Sequence, residues 1–386
     1  MKKICFLVDS IFSYGGVQRV TAVIAKALAK DYDVTIVTFD NPSEKDTSIY
    51  NLNEAGIHYR FFQFPKINHL KWKCCKVYSA LYRKVLPHTE ITSDWYNYSS
   101  FPSEKRKALI KELNSGNYDV IIGVHASLAV RLAACQSQLG NAKLIGWIHN
   151  SYQALFGENS RYSIGPELRK HYEYQLSKLH HTIVLCHYDA QRYHIPTEVI
   201  YNPLTLVPGN LSSGNSKKFL AVGRFSPMHK GFDLLIQAFH LFAEKNKDWT
   251  LDIVGEGVEE ELYRKMIAEY GLQDRITIHP FTNHIQSYYS EAQIYVLSSR
   301  WEGFGLVLVE AMAHGLPVVS SDLPTSREIM GDFGLYFENE NVEELAQRLE
   351  EATHLNWEKK STEALAIAQR FDINTIINQW KQIIET

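Results

Sequence analysis

The sequence predicts an α/β protein with two doubly wound domains, each built on a parallel sheet. Short apolar segments alternate with helical segments of amphipathic spacing, and this alternation begins again near residue 219. Strands that are apolar along their whole length are typical of parallel sheets covered by helices on both faces. A chain of 386 residues is also long for one domain. We therefore expect two Rossmann-like domains that face a central cleft.

The predicted strands follow the chain in order. In the first half they cover residues 4–8, 34–39, 59–64, 120–124, 144–149 and 182–186. In the second half they cover residues 219–222, 251–254, 276–278, 294–297 and 318–320. The domain junction is predicted at residues 201–204, just before the polar loop 212–217.

Composition excludes several classes of protein. No segment approaches 18 consecutive apolar residues, so we expect no membrane span. Asp9 and Ser10 interrupt the first apolar stretch, which is therefore predicted to be a strand and not a signal peptide. The five cysteines form no C-x-x-C pair, which favours a reducing cytosol and argues against a zinc site.

Charge is shared unevenly between the two halves. Residues 1–200 carry a net charge of +7 and residues 201–386 a net charge of −10. The first half is therefore expected to face an anionic partner. No nucleic-acid recognition motif accompanies this charge, so a membrane surface or an anionic lipid-linked substrate is the preferred interpretation.

Residues 300–310, R-W-E-G-F-G-L-V-L-V-E, hold two glutamates around a glycine turn. The turn follows a predicted strand, and helical spacing starts at Leu306, so Gly305 is expected at a helix N-terminus. Free N–H groups and the helix dipole favour an anion there, and ionised Glu302 and Glu310 would accept hydrogen bonds from sugar or ribose hydroxyls. The alternative is a helix cap beside a solvated glutamate.

A second loop, V-G-R-F-S-P-M-H-K-G at residues 222–231, lies between a predicted strand and a predicted helix. Arg224 and Lys230 flank this loop, and a guanidinium and an ammonium there would neutralise a pyrophosphate. The alternative is two solvated surface cations.

These two segments resemble the family-four retaining glycosyltransferases of the GT-B fold, of the bacterial polysaccharide type. The resemblance implies that Arg224 and Lys230 bind the donor diphosphate, that Glu302 contacts the donor hexose and that Glu310 contacts the ribose. It also assigns the phosphates to the turn between the two glutamates, at Gly303, Phe304, Gly305 and Leu306.

The resemblance extends to the N-terminal half. The glycine loop at residues 13–19, S-Y-G-G-V-Q-R, matches the family's loop and places Gly15 and Gly16 near the donor and Arg19 on the acceptor side; Gln18 stands where a glutamate is common, which bears on the acceptor contacts. His149 matches a strand-end histidine near the donor sugar, and His125 a less specific position on the acceptor side. Phe281 matches the segment that meets the nucleobase. Local hydrogen bonding or packing is the alternative for all three.

The resemblance implies a retaining enzyme that moves a hexose from a nucleotide diphosphate sugar, with uracil as the expected base, and that needs no cofactor or divalent metal. A saccharide or lipid-linked saccharide would accept the hexose in cell-surface polysaccharide or glycoconjugate synthesis, in the cytoplasm and peripherally on the inner face of the plasma membrane. Residues 1–201 would bind the acceptor, with a C-terminal helix at 372–386 packed back on them, and residues 202–371 would bind the donor. A sugar-nucleotide epimerase and a non-catalytic nucleotide-sugar sensor of the same fold remain alternatives.

Residues 65–89 hold six lysines or arginines and no acid. One helical stripe is apolar: Leu70, Cys74, Val77, Leu81 and Val85. Four basic residues lie largely away from it: Lys73, Lys76, Arg83 and Lys84. Two aromatic residues, Trp72 and Tyr82, are expected at the margin of the basic face. One interpretation is a surface helix whose stripe packs on the first sheet, and the other is a basic face that rests on an anionic membrane.

Overall fold

The computed structural model describes residues 1–157 and 163–386. It contains two compact units, one formed by Met1–Tyr201 with Ile376–Thr386 and the other by Asn202–Thr375. Every strand pairing within the two sheets is parallel, which confirms the predicted α/β class.

The first unit is a seven-stranded sheet with helices between the strands. Its strands are β1 (Lys3–Val8), β2 (Asp33–Thr38), β3 (His58–Phe61), β4 (Val120–Val124), β5 (Lys143–Trp147), β6 (His181–Val184) and β7 (Glu198–Val199). Its helices are α1 (Gly16–Leu28), α2 (His69–Lys84), α3 (Glu90–Ser100), α4 (Ser103–Gly116), α5 (Ala126–Ala133), α6 (Tyr152–Phe156), α7 (Arg169–Leu176) and α8 (His187–Ala190). The strand order is β3-β2-β1-β4-β5-β6-β7, so the chain reverses its direction of travel between β1 and β4.

The second unit repeats this design with six strands. They are β8 (Lys218–Val222), β9 (Thr250–Val254), β10 (Ile276–His279), β11 (Ile294–Leu297), β12 (Val318–Ser321) and β13 (Leu335–Phe337). The helices are α9 (Phe232–Ala243), α10 (Glu260–Glu269), α11 (Ile285–Glu291), α12 (Leu306–Ala313), α13 (Pro324–Met330), α14 (Val342–Thr353) and α15 (Trp357–Ala368). The order β10-β9-β8-β11-β12-β13 reverses between β8 and β11. Ligands of open α/β sheets bind at the carboxyl ends of strands at such a reversal.

The last helix, α16 (Ile373–Glu385), joins the first unit from Ile376 onward. The fully buried ring of Trp380 packs edge-on against Trp147 of β5, with centroids 4.8 Å apart. Lys143 Nζ donates to the carbonyl of Ile383 over 2.9 Å. The end of the chain therefore contributes to the core beside β5.

The helix α2 corrects two expectations. Its apolar stripe does not pack on the sheet, because Leu70, Val77 and Val85 are 71%, 61% and 74% exposed. Tyr82, expected at the exposed margin, is fully buried, with its ring stacked 4.5 Å from that of Tyr96 in α3. The sequence pattern identified the apolar stripe, but α3 covers the adjacent face of α2, which carries Tyr78 and Tyr82.

Candidate functional site

The two loops singled out in the second half follow adjacent strands at the reversal of the second sheet. β8 pairs with β11, and each strand leads directly into one loop and then into α9 or α12. The topology therefore brings Lys230 and Glu302 together, although they are 72 residues apart in the sequence.

Lys230 and Glu302 form an ion pair that is largely shielded from solvent. Lys230 Nζ donates to Glu302 Oε1 over 2.6 Å, and the two side chains are 13% and 8% exposed. Ser299 Oγ donates to the same oxygen over 2.6 Å. Burial opposes ionisation of Glu302, but the Lys230 ammonium and these hydrogen bonds hold the pKa of its carboxyl below the usual value. The Glu302 carboxyl is thus ionised at neutral pH.

His229 and Trp301 join the two loops beside this ion pair. Their rings stack with centroids 4.9 Å apart and planes 11° from parallel. The backbone N–H of Arg300 donates to the carbonyl of His229 over 2.8 Å. Burial, together with the charge of neighbouring Lys230, lowers the pKa of His229 to about 4, so its ring is neutral near pH 7. His229 therefore has a packing role and adds no charge.

Gly231 allows the loops to approach closely. Its φ is 62°, and a Cβ placed there would lie 2.0 Å from the carbonyl oxygen of Ser298. Ser298 Oγ donates to the carbonyl of Lys230 over 2.9 Å. The guanidinium of Arg300 is bidentate to Asp233, with distances of 3.0 and 2.7 Å. Sequence reasoning missed these serines and the Arg300–Asp233 pair, since nothing in either residue pattern indicates which loops meet.

The glycine turn ends at an N-terminus that no side chain caps. Gly305 is the N-cap residue of α12, with φ 87° and ψ 52°, as predicted. Phe304 is buried, with its ring 5.7 Å from that of Phe371, whereas Gly303 and Leu306 are partly exposed. The N–H of Leu308 already donates to the carbonyl of Gly305 over 2.9 Å, so the N–H groups of Leu306 and Val307 are the ones available to an anion.

Glu310 lies on the second turn of α12 and is 2% exposed. Its two carboxylate oxygens accept hydrogen bonds from the hydroxyls of Thr205 and Tyr289, at 3.2 and 3.1 Å. Tyr289 in turn stacks on His314, whose Nδ1 lies 2.7 Å from the carbonyl oxygen of Glu310. Glu310 is thus held in a fixed orientation by residues that the sequence pattern did not reveal.

Two other predicted donor residues stand apart from the ion pair. Arg224 follows β8 and is exposed, and its side chain forms no ion pair with another described residue. The adjacent Phe225 bridges to Gly257, which fixes the loop backbone. Phe281 follows β10 and is 45% exposed. The structure therefore places both on the surface near the carboxyl ends of β8 and β10.

The predicted residues of the first unit gather at its own reversal, between β1 and β4. A small cavity of about 20 Å³ lies between the loop after β1 and His125, which follows β4; its walls include Asp9, Ser10 and Gln18. The backbone N–H of Gly15 donates to the Tyr50 hydroxyl over 2.8 Å, and Gly16 begins α1, which also carries Arg19.

His149 lies two residues beyond the end of β5. It is 7% exposed, its ring centroid is 5.6 Å from that of His125 and 4.2 Å from that of Trp147, and its Nε2 has no hydrogen-bond partner among the described residues. Burial, and secondarily the nearby His125, lowers the pKa of His149 well below its ordinary value. The ring is therefore neutral and able to donate or accept a hydrogen bond.

Comparison with known proteins identifies the fold and the family. A profile described as Glycosyltransferase Family 4 matches residues 14–206, and one described as Glycosyl transferases group 1 matches residues 206–369. A Haemophilus influenzae glycosyltransferase is 29% identical over the full length of both chains. A Xanthomonas oryzae GDP-mannose:cellobiosyl-diphosphopolyprenol alpha-mannosyltransferase is 28% identical over 177 residues, 44% of each chain.

The crystal structure of Anabaena HepE in complex with UDP superimposes with a TM-score of 0.73 at 20% identity, over 100% of both chains. This likeness shows the GT-B fold. The Family 4 profile spans half of the chain, and the second profile covers most of the remainder. The chain therefore belongs to glycosyltransferase family 4.

Proposed function

We propose that the enzyme transfers a hexose from a UDP-sugar to a saccharide or lipid-linked saccharide, with retention at the anomeric carbon, in the synthesis of cell-surface polysaccharide or glycoconjugate. The observation that carries this proposal is the buried Lys230–Glu302 pair beside the uncapped N-terminus of α12. A cation and free N–H groups suit a diphosphate, and a carboxylate beside them suits the hydroxyls of the attached sugar.

The donor assignment gives each charged group one role. Lys230 has three N–H bonds, of which one points to Glu302, so the others are available to phosphate oxygens. Glu302 would accept from a hexose hydroxyl and Glu310 from a ribose hydroxyl. The Anabaena HepE structures contain UDP and UDP-glucose, which supports a uracil base.

Transfer would depend on stabilising the leaving group. The bond between the anomeric carbon and the diphosphate breaks, a bond from the acceptor oxygen forms on the same face, and the acceptor proton passes to a phosphate oxygen. Negative charge develops on the departing diphosphate, where Lys230, Arg224 and the N–H groups of α12 would stabilise it. With these groups in place we propose that no divalent metal or cofactor is required.

The acceptor would bind to the first unit. Gln18 and His125 line the cavity of that unit, and Arg19 lies on α1 beside it. By the family resemblance His149 would instead face the donor sugar, and its neutral ring suits a hydrogen bond to a hydroxyl of that sugar. The acceptor of the Xanthomonas relative is a cellobiosyl-diphosphopolyprenol, as its name states, which supports a lipid-linked saccharide acceptor. With such an acceptor the enzyme would work on the cytoplasmic side of the plasma membrane.

The decisive experiment incubates the purified protein with a panel of nucleotide sugars, with and without bacterial membranes, and measures free nucleotide. Release that depends on membranes supports transfer, and the anomeric configuration of the product tests retention. A changed sugar without nucleotide release would indicate an epimerase, and binding without turnover a sensor. Activity should survive a strong chelator; loss that added metal reverses would contradict the metal-independent mechanism.

A further inference from the structure

The helices α2 and α3 expose an apolar surface that the fold leaves uncovered. Almost half of the large exposed hydrophobic side chains in the described part of the chain lie here. We call them the hairpin surface, which consists of Leu70, Trp72, Val77, Leu81, Val85, Ile91, Trp95 and Tyr98. Apolar surface concentrated in this way marks an interaction site more often than scattered exposed residues do.

The aliphatic stripe of α2 adjoins the exposed residues of α3, while Trp72 lies on the other side of α2, across the lysines. Ile91, Trp95 and Tyr98 recur at helical spacing on α3 and are 72%, 63% and 54% exposed. The ring of Tyr78 on α2 lies 6.3 Å from that of Trp95 and so bridges the two helices. Below, Tyr82 stacks on Tyr96, which holds α2 against α3.

Basic side chains border this surface. α2 contains no acidic residue, and its exposed Lys73 and Lys84 form no ion pair with another described residue. Lys76 lies 4.4 Å from the centroid of the Trp72 ring. Lys71 and Arg83, by contrast, are paired with Glu104 and Glu167. On α3, Asp94 pairs with Lys178, and the exposed Glu90 is the acid that forms no ion pair with another described residue. Lys73, Lys76 and Lys84 outnumber it, so the surface has a net positive charge.

We propose that the hairpin surface rests on an anionic lipid bilayer. Interleaved lysines and aliphatic residues with marginal tryptophans suit the headgroup boundary, where apolar side chains enter the acyl region and ammonium groups meet lipid phosphates. Lysine is depleted in protein–protein interfaces, which argues against a second protein as the occupant. This inference rests on the proposed function and deepens it, because a membrane-bound enzyme meets a lipid-linked acceptor.

Vesicle co-sedimentation of the full chain, without nucleotide sugar, tests the proposal. The protein should bind vesicles containing phosphatidylglycerol more tightly than pure phosphatidylcholine, and binding should weaken as salt rises. Changing Lys73, Lys76 and Lys84 together to Gln should lower the partition coefficient on the order of 100-fold, since each basic residue contributes roughly fivefold. The charge-matched control changes Lys111, Lys247 and Lys359 to Gln and should bind like the parent.

A separate variant tests the contribution of the apolar side chains to vesicle binding. Ile91→Ser with Trp95→Ser should weaken binding to anionic vesicles, whereas Leu241→Ser with Leu262→Ser, exposed residues elsewhere, should not. Equal affinity for both vesicle types, no binding to either, or a concentration-dependent dimer that masks Trp95 fluorescence from quencher would overturn the proposal.

Activity on a soluble saccharide acceptor separates this inference from the proposed function. If the protein binds vesicles but releases no nucleotide with any donor, the proposed function is wrong and the membrane-binding proposal stands. If it turns over donor but does not bind vesicles, only the membrane-binding proposal is wrong.

Discussion

At the scale of single residues, the Lys230–Glu302 pair stabilises the two loops and is the group that we propose binds the donor. Taking a lysine and a carboxylate out of water is unfavourable unless they pair, and here they pair directly and with Ser299. In the proposed function, an entering donor would share both groups. The pair is therefore already oriented before substrate arrives.

Glu302→Gln should reduce both transfer and stability. The amide loses the charge that pairs with Lys230, so we expect the free energy of unfolding at pH 7 to fall by about 3 kcal/mol. Because the folded-state pKa of Glu302 is lowered, its contribution is present above the unfolded value of 4.5 and disappears as pH falls through the lowered value. Urea unfolding at pH 7 and in acid checks this; an equal difference at both pH values would contradict the ion-pair account.

Transfer by Glu302→Gln should drop on the order of 10²-fold under conditions where the variant is fully folded. Lys265→Gln, on the exposed face of α10, is the control for a charge change remote from the loops. Turnover of Glu302→Gln within twofold of the parent would refute the role of this carboxylate.

Tyr289→Phe tests whether Glu310 is oriented by its hydroxyl. Removing the 3.1 Å hydrogen bond should weaken binding of free UDP roughly 10-fold, because a hydrogen bond to a charged group contributes about 1.5 kcal/mol. Tyr288→Phe, next in sequence but with its ring on His279, should bind like the parent. Isothermal titration calorimetry measures both, and equal affinities would show that Glu310 needs no such support.

At the scale of elements, the two loops could be predicted because each carries its signal locally. An apolar strand, a glycine turn and a helix start follow in order around Gly305, and the structure confirms the N-cap there. The short strands β7 and β13 were missed, since two or three residues show no periodicity. The burial of Tyr82 by α3 was also not predicted, because the periodicity of one helix does not indicate which of its faces the next helix packs against.

Gly231→Ala should disrupt the contact between the loops. An alanine at φ 62° is strained by about 1 kcal/mol, and its Cβ would also collide with the Ser298 carbonyl 2.0 Å away, adding about 1–3 kcal/mol. Gly271→Ala is the matched control, with φ 65° and no atom within 4 Å of the added Cβ. Chemical unfolding should show a larger loss for Gly231→Ala; equal losses would mean that the loop relaxes freely.

At the scale of the whole molecule, the fold class could be predicted from the sequence, but the side-chain contacts that complete the core and the site could not. Alternating strands and helices predict two parallel sheets, which the structure confirms. The roles of Arg224, Phe281 and the first-unit residues remain predictions, since side-chain contacts with a substrate follow from neither periodicity nor topology. The C-terminal helix was expected from family resemblance alone, whereas its packing partner Trp147 emerged only from the structure.

Trp380→Ala should show what this final helix supports. Trp147 lies between the rings of Trp380 and His149, so the last helix stabilises the segment that carries His149. Removing the fully buried Trp380 ring should cost about 3–5 kcal/mol and reduce hydrogen-exchange protection in peptides that span residues 143–150. Trp249→Ala removes a similarly buried ring from the second unit. It should destabilise the protein but leave the hydrogen-exchange protection of residues 143–150 as in the parent. Unchanged exchange at residues 143–150 in Trp380→Ala would contradict this role, because a ring packed on Trp147 cannot be lost without loosening the strand end that it covers.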